Sequence, residues 1–168
     1  REQPSGIARA DVILVTRCDG QGVPAEVETM ARRYNRSAPV LAARHRPAGF
    51  TDRTGAPQAA PETAVAFCGI ARPDSFRNSL EQAGVQLAAF RPFPDHHRYT
   101  AAELADMAAA ADRHQALLVT TEKDLARFSP RDRPALPPLL TLGLDWTLDD
   151  PGPLLEAVRR ILSGKGGP

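Results

Sequence analysis

Asp95, His96 and His97, consecutive in the chain, hold its densest chemistry. A carboxylate beside an imidazole can orient the ring, raise its basicity and let it take or give a proton near neutral pH. The same residue types could hold a metal. Adjacent side chains point in different directions, so one or two of the three can share a site, and a solvated turn after Pro94 would account for the triplet without any chemistry. Thr121-Glu122-Lys123-Asp124 forms a second group. Backbone N–H groups at a helix start attract phosphate and Lys123 adds a positive charge, although Glu122 and Asp124 offset it. A capped helix with surface charges would look the same. The third group is Gly69-Ile70-Ala71-Arg72. A small-residue turn admits a ligand to the backbone, and Arg72 can fork onto a phosphate. An ordinary strand-to-helix turn explains it equally. Cys68 reads as a small buried hydrophobe, and His45 and His114 as structural or solvent-facing.

These groups need a scaffold that brings them to one place. Short apolar runs alternate with helical stretches, the pattern of an α/β domain with a mostly parallel sheet. Strands are expected over residues 10–16 (ADVILVT), 39–46, 63–68 (TAVAFC), 85–90 and 116–120, with a short edge strand over 139–142. Helices are expected over 24–35, from Pro73 to a stop at Gly84, from Thr100, and over 153–162. Phe76, Leu80 and Ala83 share one helical face, as do Leu104, Met107, Ala108 and Ala111, and so do Leu154, Leu155, Val158, Ile161 and Leu162. Thr100 and Glu103 have the spacing of a capping box. Thr121 is placed to cap the next turn through Asp124. Residues 47–61, rich in Gly, Pro, Thr and Asp, read as a loop or irregular ribbon, and Trp146 as the anchor of a loop. In open α/β sheets ligands bind beyond the carboxyl ends of the strands, and all three chemical groups fall at such ends.

Composition narrows the classes. With 168 residues and 42% apolar content, the chain can bury a core, which excludes wholesale disorder. Lys and Arg number 21 against 20 Asp and Glu, so binding to nucleic acid through bulk charge is not expected. Two cysteines make no disulfide framework and lack zinc spacing. No apolar run approaches the roughly 20 residues that span a bilayer. The chain starts without methionine in a polar segment, and it has no G-x-x-x-x-G-K-[ST], G-x-G-x-x-G or H-E-x-x-H pattern. A piece of a longer protein is the expectation.

Taken in order, the motifs say more than each does alone. F-C-G-I-A-R-P-x-x-F (residues 67–76), F-P-D-H-H-x-Y-T (93–100) and L-V-T-T-E-K-D (118–124) resemble the C-terminal half of the tetraacyldisaccharide 4′-kinase family, the lipid A 4′-kinases of Gram-negative bacteria. The opening is similar too, with Arg1-Glu2-Gln3-Pro4 and then Arg9-Ala10-Asp11 followed by Thr16-Arg17. The likeness runs to about Arg127. It departs at Ala71 and Arg72, where the family more often has a Gly or Asn after the isoleucine, and a ligand contact there is correspondingly less expected.

The resemblance implies a three-layer α/β/α fold with a mostly parallel sheet, the second domain of a P-loop-containing kinase. It divides the chain into a tail of the preceding domain (1–9), a C-terminal α/β domain (10–162) and a disordered tail (163–168). It implies transfer of the γ-phosphate of ATP, with Mg²⁺, to the 4′-hydroxyl of a lipid A disaccharide precursor, at the cytoplasmic face of the inner membrane. ATP, Mg²⁺ and the membrane would be met mainly by residues preceding this chain, which alone would be inactive. His96 would assist proton transfer and Asp95 would orient it. His97, Gly69, Arg72, Thr121, Glu122 and Lys123 would lie near substrate or nucleotide, with no metal ligand among them. Two alternatives stay open: a metal-dependent phosphoesterase using Asp95, His96 and His97, and a non-catalytic α/β ligand-binding module.

Overall fold

A computed structural model describes residues 2–16, 18 and 22–164. Arg1 and Arg17 of the opening motifs and the last four residues of the expected tail lie outside the described residues. By packing, the chain divides into two compact units, Arg46–Asp145 and Arg1–His45 with Trp146–Pro168.

In the unit Arg46–Asp145, the central strand is β4 (Thr63–Cys68), whose run of Ala, Val, Phe and Cys is buried on both faces. It lies parallel to β5 (Gln86–Pro92) on one side and β6 (Leu117–Thr121) on the other. Beyond β6 comes β7 (Leu139–Leu148), also parallel, and then β2 (Val40–Asp52) with the short β3 (Pro57–Gln58) antiparallel to it. Thr51 meets Thr141 Oγ–Oγ at 2.8 Å, and Gly143 faces Ala48 and Gly49, so β2 and β7 run in opposite directions.

Side chains alternate along β4 and so divide the core into two. Ala64, Ala66 and Cys68 face α2 (Pro73–Gln82) through Phe76 and Leu80. Val65 and Phe67 face α3 (Ala101–Arg113) through Leu104, Met107 and Ala111. Each large apolar side chain buried this way stabilises by about 1.5–3 kcal/mol. Helices on opposite faces of a mostly parallel sheet make the three-layer α/β/α arrangement. The path β4–α2–β5 moves to one side of β4, and β5–α3–β6 returns to the other. The carboxyl ends of β4 and β6 therefore flank a switch in strand order, where α/β sheets open a crevice.

Two expectations are corrected here. Residues 47–61 are not simply a loop: β2 continues through Pro47 and Gly49 to Asp52, and β3 follows. The proline is tolerated because, among the described residues, β1 pairs with Val40–Ala43 and β3 with Phe50 and Thr51, leaving residue 47 outside both pairings. Gly49, at φ +113°, takes a backbone conformation that a residue with a side chain resists. β7 is neither short nor at an edge: it runs to Leu148 between β6 and β2.

In the other unit, β1 (Ile13–Thr16) pairs parallel with Val40–Ala43 of β2, with α1 (Ala25–Tyr34) between them in sequence. Asn35, buried at the end of α1, staples this unit together. Its amide nitrogen donates to the carbonyls of Ile7 and Ala10 at 3.0 and 2.8 Å, and its Oδ1 accepts the N–H of Ala38 at 2.9 Å. Trp146 does not anchor a loop: it lies on β7, half-exposed, with its ring edge against His45. The last helix, α5 (Gly152–Leu162), has the expected spacing, but Ala157 is its buried residue and Leu155, Val158, Ile161 and Leu162 are exposed.

Candidate active site at the carboxyl ends of β4 and β6

The site lies wholly within Arg46–Asp145 and is built around a carboxylate. Asp124 follows β6 on the single-turn helix α4 (Glu122–Leu125) and is fully buried. A buried carboxylate is tolerated when donors surround it. Gly69 N–H at the end of β4 donates to both its oxygens, at 3.2 and 3.1 Å. Tyr99 Oη donates at 3.0 Å, Thr121 Oγ1 at 2.6 Å and Arg127 Nη1 at 2.6 Å. Thr121 Oγ1 also accepts the Asp124 N–H at 3.0 Å, which is the expected cap. One side chain thus ties together the ends of both strands and the loop that follows β5.

That loop, residues 93–99, is laced to β4. Phe93 N–H donates to Cys68 O at 2.8 Å and His96 N–H to Gly69 O at 3.1 Å. His97 N–H closes a turn onto Pro94 O at 3.1 Å. The turn puts His96 at φ +63°, a left-handed conformation that costs a non-glycine residue roughly 1–2 kcal/mol. Gly69 is needed where the loop comes close, since a Cβ there would stand 2.9 Å from Arg127 Nη1 and 3.0 Å from Tyr99 Oη.

The two histidines have opposite fates. His96 projects outward, its side chain 81% exposed, with Nε2 3.7 Å from Asp95 Oδ2. His97 turns inward, stacks on Phe93 and places Nε2 3.1 Å from both oxygens of Glu103. Glu103 also accepts the Thr100 N–H, completing the expected capping box. These contacts, the Thr100 backbone N–H first and His97 next, hold the Glu103 carboxyl down at about 2. Burial, followed by the nearby Asp124 charge, raises the Tyr99 hydroxyl well above its usual range and keeps it a donor. The same two causes push the Cys68 thiol up to about 12, which leaves it inert as a nucleophile.

His96, His97, Arg98, Tyr99, Arg127 and Phe128 line an open cleft of about 540 Å³. Of the residues singled out in the sequence, the structure gathers Gly69, Asp95, His96, His97 and Thr121. Arg72, Glu122 and Lys123 are exposed and give no side-chain hydrogen bond or ion pair to the cluster. Asp95, His96 and His97 do not converge on a common point, and among the described residues no three His, Cys, Asp or Glu side chains are grouped to hold a metal. Asp124 and Arg127 carry the architecture of the site, yet the sequence marks Asp124 only as part of a helix cap and an offset to Lys123, and assigns Arg127 no role. Their separation by three residues just after a capping threonine is the signal that could have found them.

The model of the LpxK family, tetraacyldisaccharide-1-P 4′-kinase, matches residues 1–163. Among curated relatives, the tetraacyldisaccharide 4′-kinase of Paramagnetospirillum magneticum is 40% identical over 163 residues, which cover 96% of this chain and 46% of that protein. The kinase of the same name from Rhodopseudomonas palustris is 42% identical over 127 residues, 76% of this chain and 35% of that one. This chain therefore spans less than half the length of these relatives. The crystal structure of LpxK from Aquifex aeolicus in complex with ATP shares the fold, with a TM-score of 0.55 at 18% identity, covering 96% of this chain and 45% of that one. The motifs at the strand ends and the match over residues 1–163 lead to one conclusion: the chain belongs to the tetraacyldisaccharide-1-P 4′-kinase family.

Proposed function

We propose that this chain is the part of a lipid A 4′-kinase that brings a proton acceptor to the sugar hydroxyl. The whole enzyme would transfer the γ-phosphoryl group of ATP to the 4′-hydroxyl of tetraacyldisaccharide 1-phosphate. Family membership supports the reaction class, and the name of the Aquifex relative's complex supports ATP as donor. The observation that carries the role of this chain is His96: a strained, outward-facing imidazole beside Asp95, at the switch point of the sheet.

A sugar hydroxyl is a poor nucleophile while it keeps its proton. Phosphoryl transfer calls for positioning, neutralisation of charge and a group that receives that proton. His96, exposed in the cleft, would accept it, and Asp95 beside its Nε2 would stabilise the imidazolium that forms. The hydroxyl oxygen then bonds to phosphorus as the bond to the ADP oxygen breaks. Mg²⁺, when bound with ATP, would neutralise charge on the transferring phosphates. In this reading the nucleotide is held by residues outside the chain, and the chain alone is inactive. Location at the cytoplasmic face of the inner membrane belongs to the same proposal; no helix among the described residues is long and apolar enough to cross a membrane.

The test is His96→Gln in the full-length enzyme. The expected result is a kcat lower by roughly 10²-fold or more, with KM for ATP little changed. A kcat equal to that of the wild type would remove the histidine from the reaction.

A further inference from the structure

We infer that Arg127 is a positioning residue for the Asp95–His96 turn, a strut that ties this turn to the buried Asp124; the inference rests on the role proposed for His96. One face of the guanidinium is fixed, with Nη1 2.6 Å from Asp124 Oδ1. Asp124 is itself immobilised by Gly69, Tyr99 and Thr121. The other nitrogen, Nη2, lies 3.7 Å from Asp95 Oδ1. That oxygen accepts the His96 N–H at 3.0 Å, while Asp95 Oδ2 faces the His96 ring. Charge alternates along the line: carboxylate, guanidinium, carboxylate, imidazole. The first member is in the core and the last in the cleft.

Two features set Arg127 apart from a simple partner of Asp124. The Arg127 side chain is only 21% exposed, so its attraction for Asp95 is less screened than that of a surface pair. The turn it reaches is also strained at His96, and a left-handed non-glycine residue persists only where its surroundings over-determine it. Among the described residues, Arg127 is the one side chain from outside residues 93–99 that pairs with Asp95. A lysine could neutralise Asp124, but it has a single nitrogen and lacks the planar fork that serves both carboxylates.

The experiment uses the full-length enzyme with Arg127→Lys, Asp95→Asn and the double variant. It reads amide hydrogen exchange of residues 93–99 together with kcat and KM. For Arg127→Lys the expected result is a nearly unchanged melting temperature, with His96 and His97 amides exchanging about tenfold faster. The expected kcat is about tenfold lower with KM for ATP within twofold, and no further loss when Asp95→Asn is already present. Unchanged exchange, or kcat losses that multiply in the double variant, would overturn the strut. If Arg127→Lys does not fold, Asp95→Asn cuts the same link from the exposed side, and unchanged exchange there overturns it as well. The two readings fail separately. Faster exchange in Arg127→Lys with full activity in His96→Gln keeps the strut and removes the histidine's chemistry; unchanged exchange with an inactive His96→Gln does the reverse.

Discussion

Glu103 completes two structures with a single carboxylate. It accepts the Thr100 N–H at 2.8 Å, which closes the first turn of α3, and it holds His97 Nε2 at 3.1 Å, which fixes that ring in the wall of the cleft. Its carboxyl is lowered from 4.5 to about 2, so the folded state binds this proton less readily than the unfolded chain. A lowered pKa contributes stability above the unfolded value, and that stability is lost as pH falls through the folded one. The melting temperature should therefore drop between about pH 4.5 and pH 2, and Glu103→Gln should flatten that drop while lowering the neutral-pH value. Thermal melts of both proteins across that range check it; an equally steep acid limb in the variant would exonerate Glu103. At this scale the sequence reading separates His96 from His97 only through the family resemblance. The physical difference is that one ring finds a carboxylate six residues on, and the other sits in a left-handed turn. The first fact is not local to the triplet, and the second depends on how the Pro94–His97 turn closes.

The turn from β4 into α2 shows how strictly elements are packed at the site. Gly69 has no Cβ to obstruct Arg127, Tyr99 and His97, each of which would lie within 3.2 Å of one. Gly69→Ala should displace the Arg127 and Tyr99 ends from Asp124, destabilise by about 1–3 kcal/mol and lower kcat in the full-length enzyme. Urea unfolding and steady-state rates test this; a variant as stable and as fast as wild type would show that the loop gives way freely. Such close approach is invisible in a sequence, whereas β4 itself is legible, because a run of six small and β-rich residues between turn signals has few other destinies. The capping box at Thr100 is legible for the same reason: its partners are three residues apart. β2 and β7 are misread because Pro47, Gly49, Gly143 and Asp145 interrupt them, and their pairing with each other supplies what local preference withholds. Asp124 is hidden among charged neighbours that stay at the surface, and only the tertiary fold separates its burial from the exposure of Lys123.

At the scale of the molecule, both apolar cores of the three-layer fold fall within Arg46–Asp145. That segment should fold by itself. It contains Tyr99 as its one tyrosine and no tryptophan, so tyrosine emission reports directly on the Asp124 cluster. Expressed alone, residues 46–145 should unfold in urea in one step, with far-ultraviolet circular dichroism and Tyr99 emission changing together. Non-coincident transitions, or the absence of a cooperative one, would mean that the other unit is required. The antiparallel course of β2 and β7 matters beyond the native state. Where Ala48 and Gly49 lie beside Gly143, the self-folding segment brings its two ends together. The remaining unit is made of residues 1–45 and 146–168, which flank that segment in sequence and leave the ribosome at different times. Once the middle has set, joining those stretches no longer requires a long flexible loop to be closed, and the entropy of that closure is already spent. During synthesis, residues 46–145 should mature first, and the other unit should be completed only when residues 146–168 meet residues 1–45.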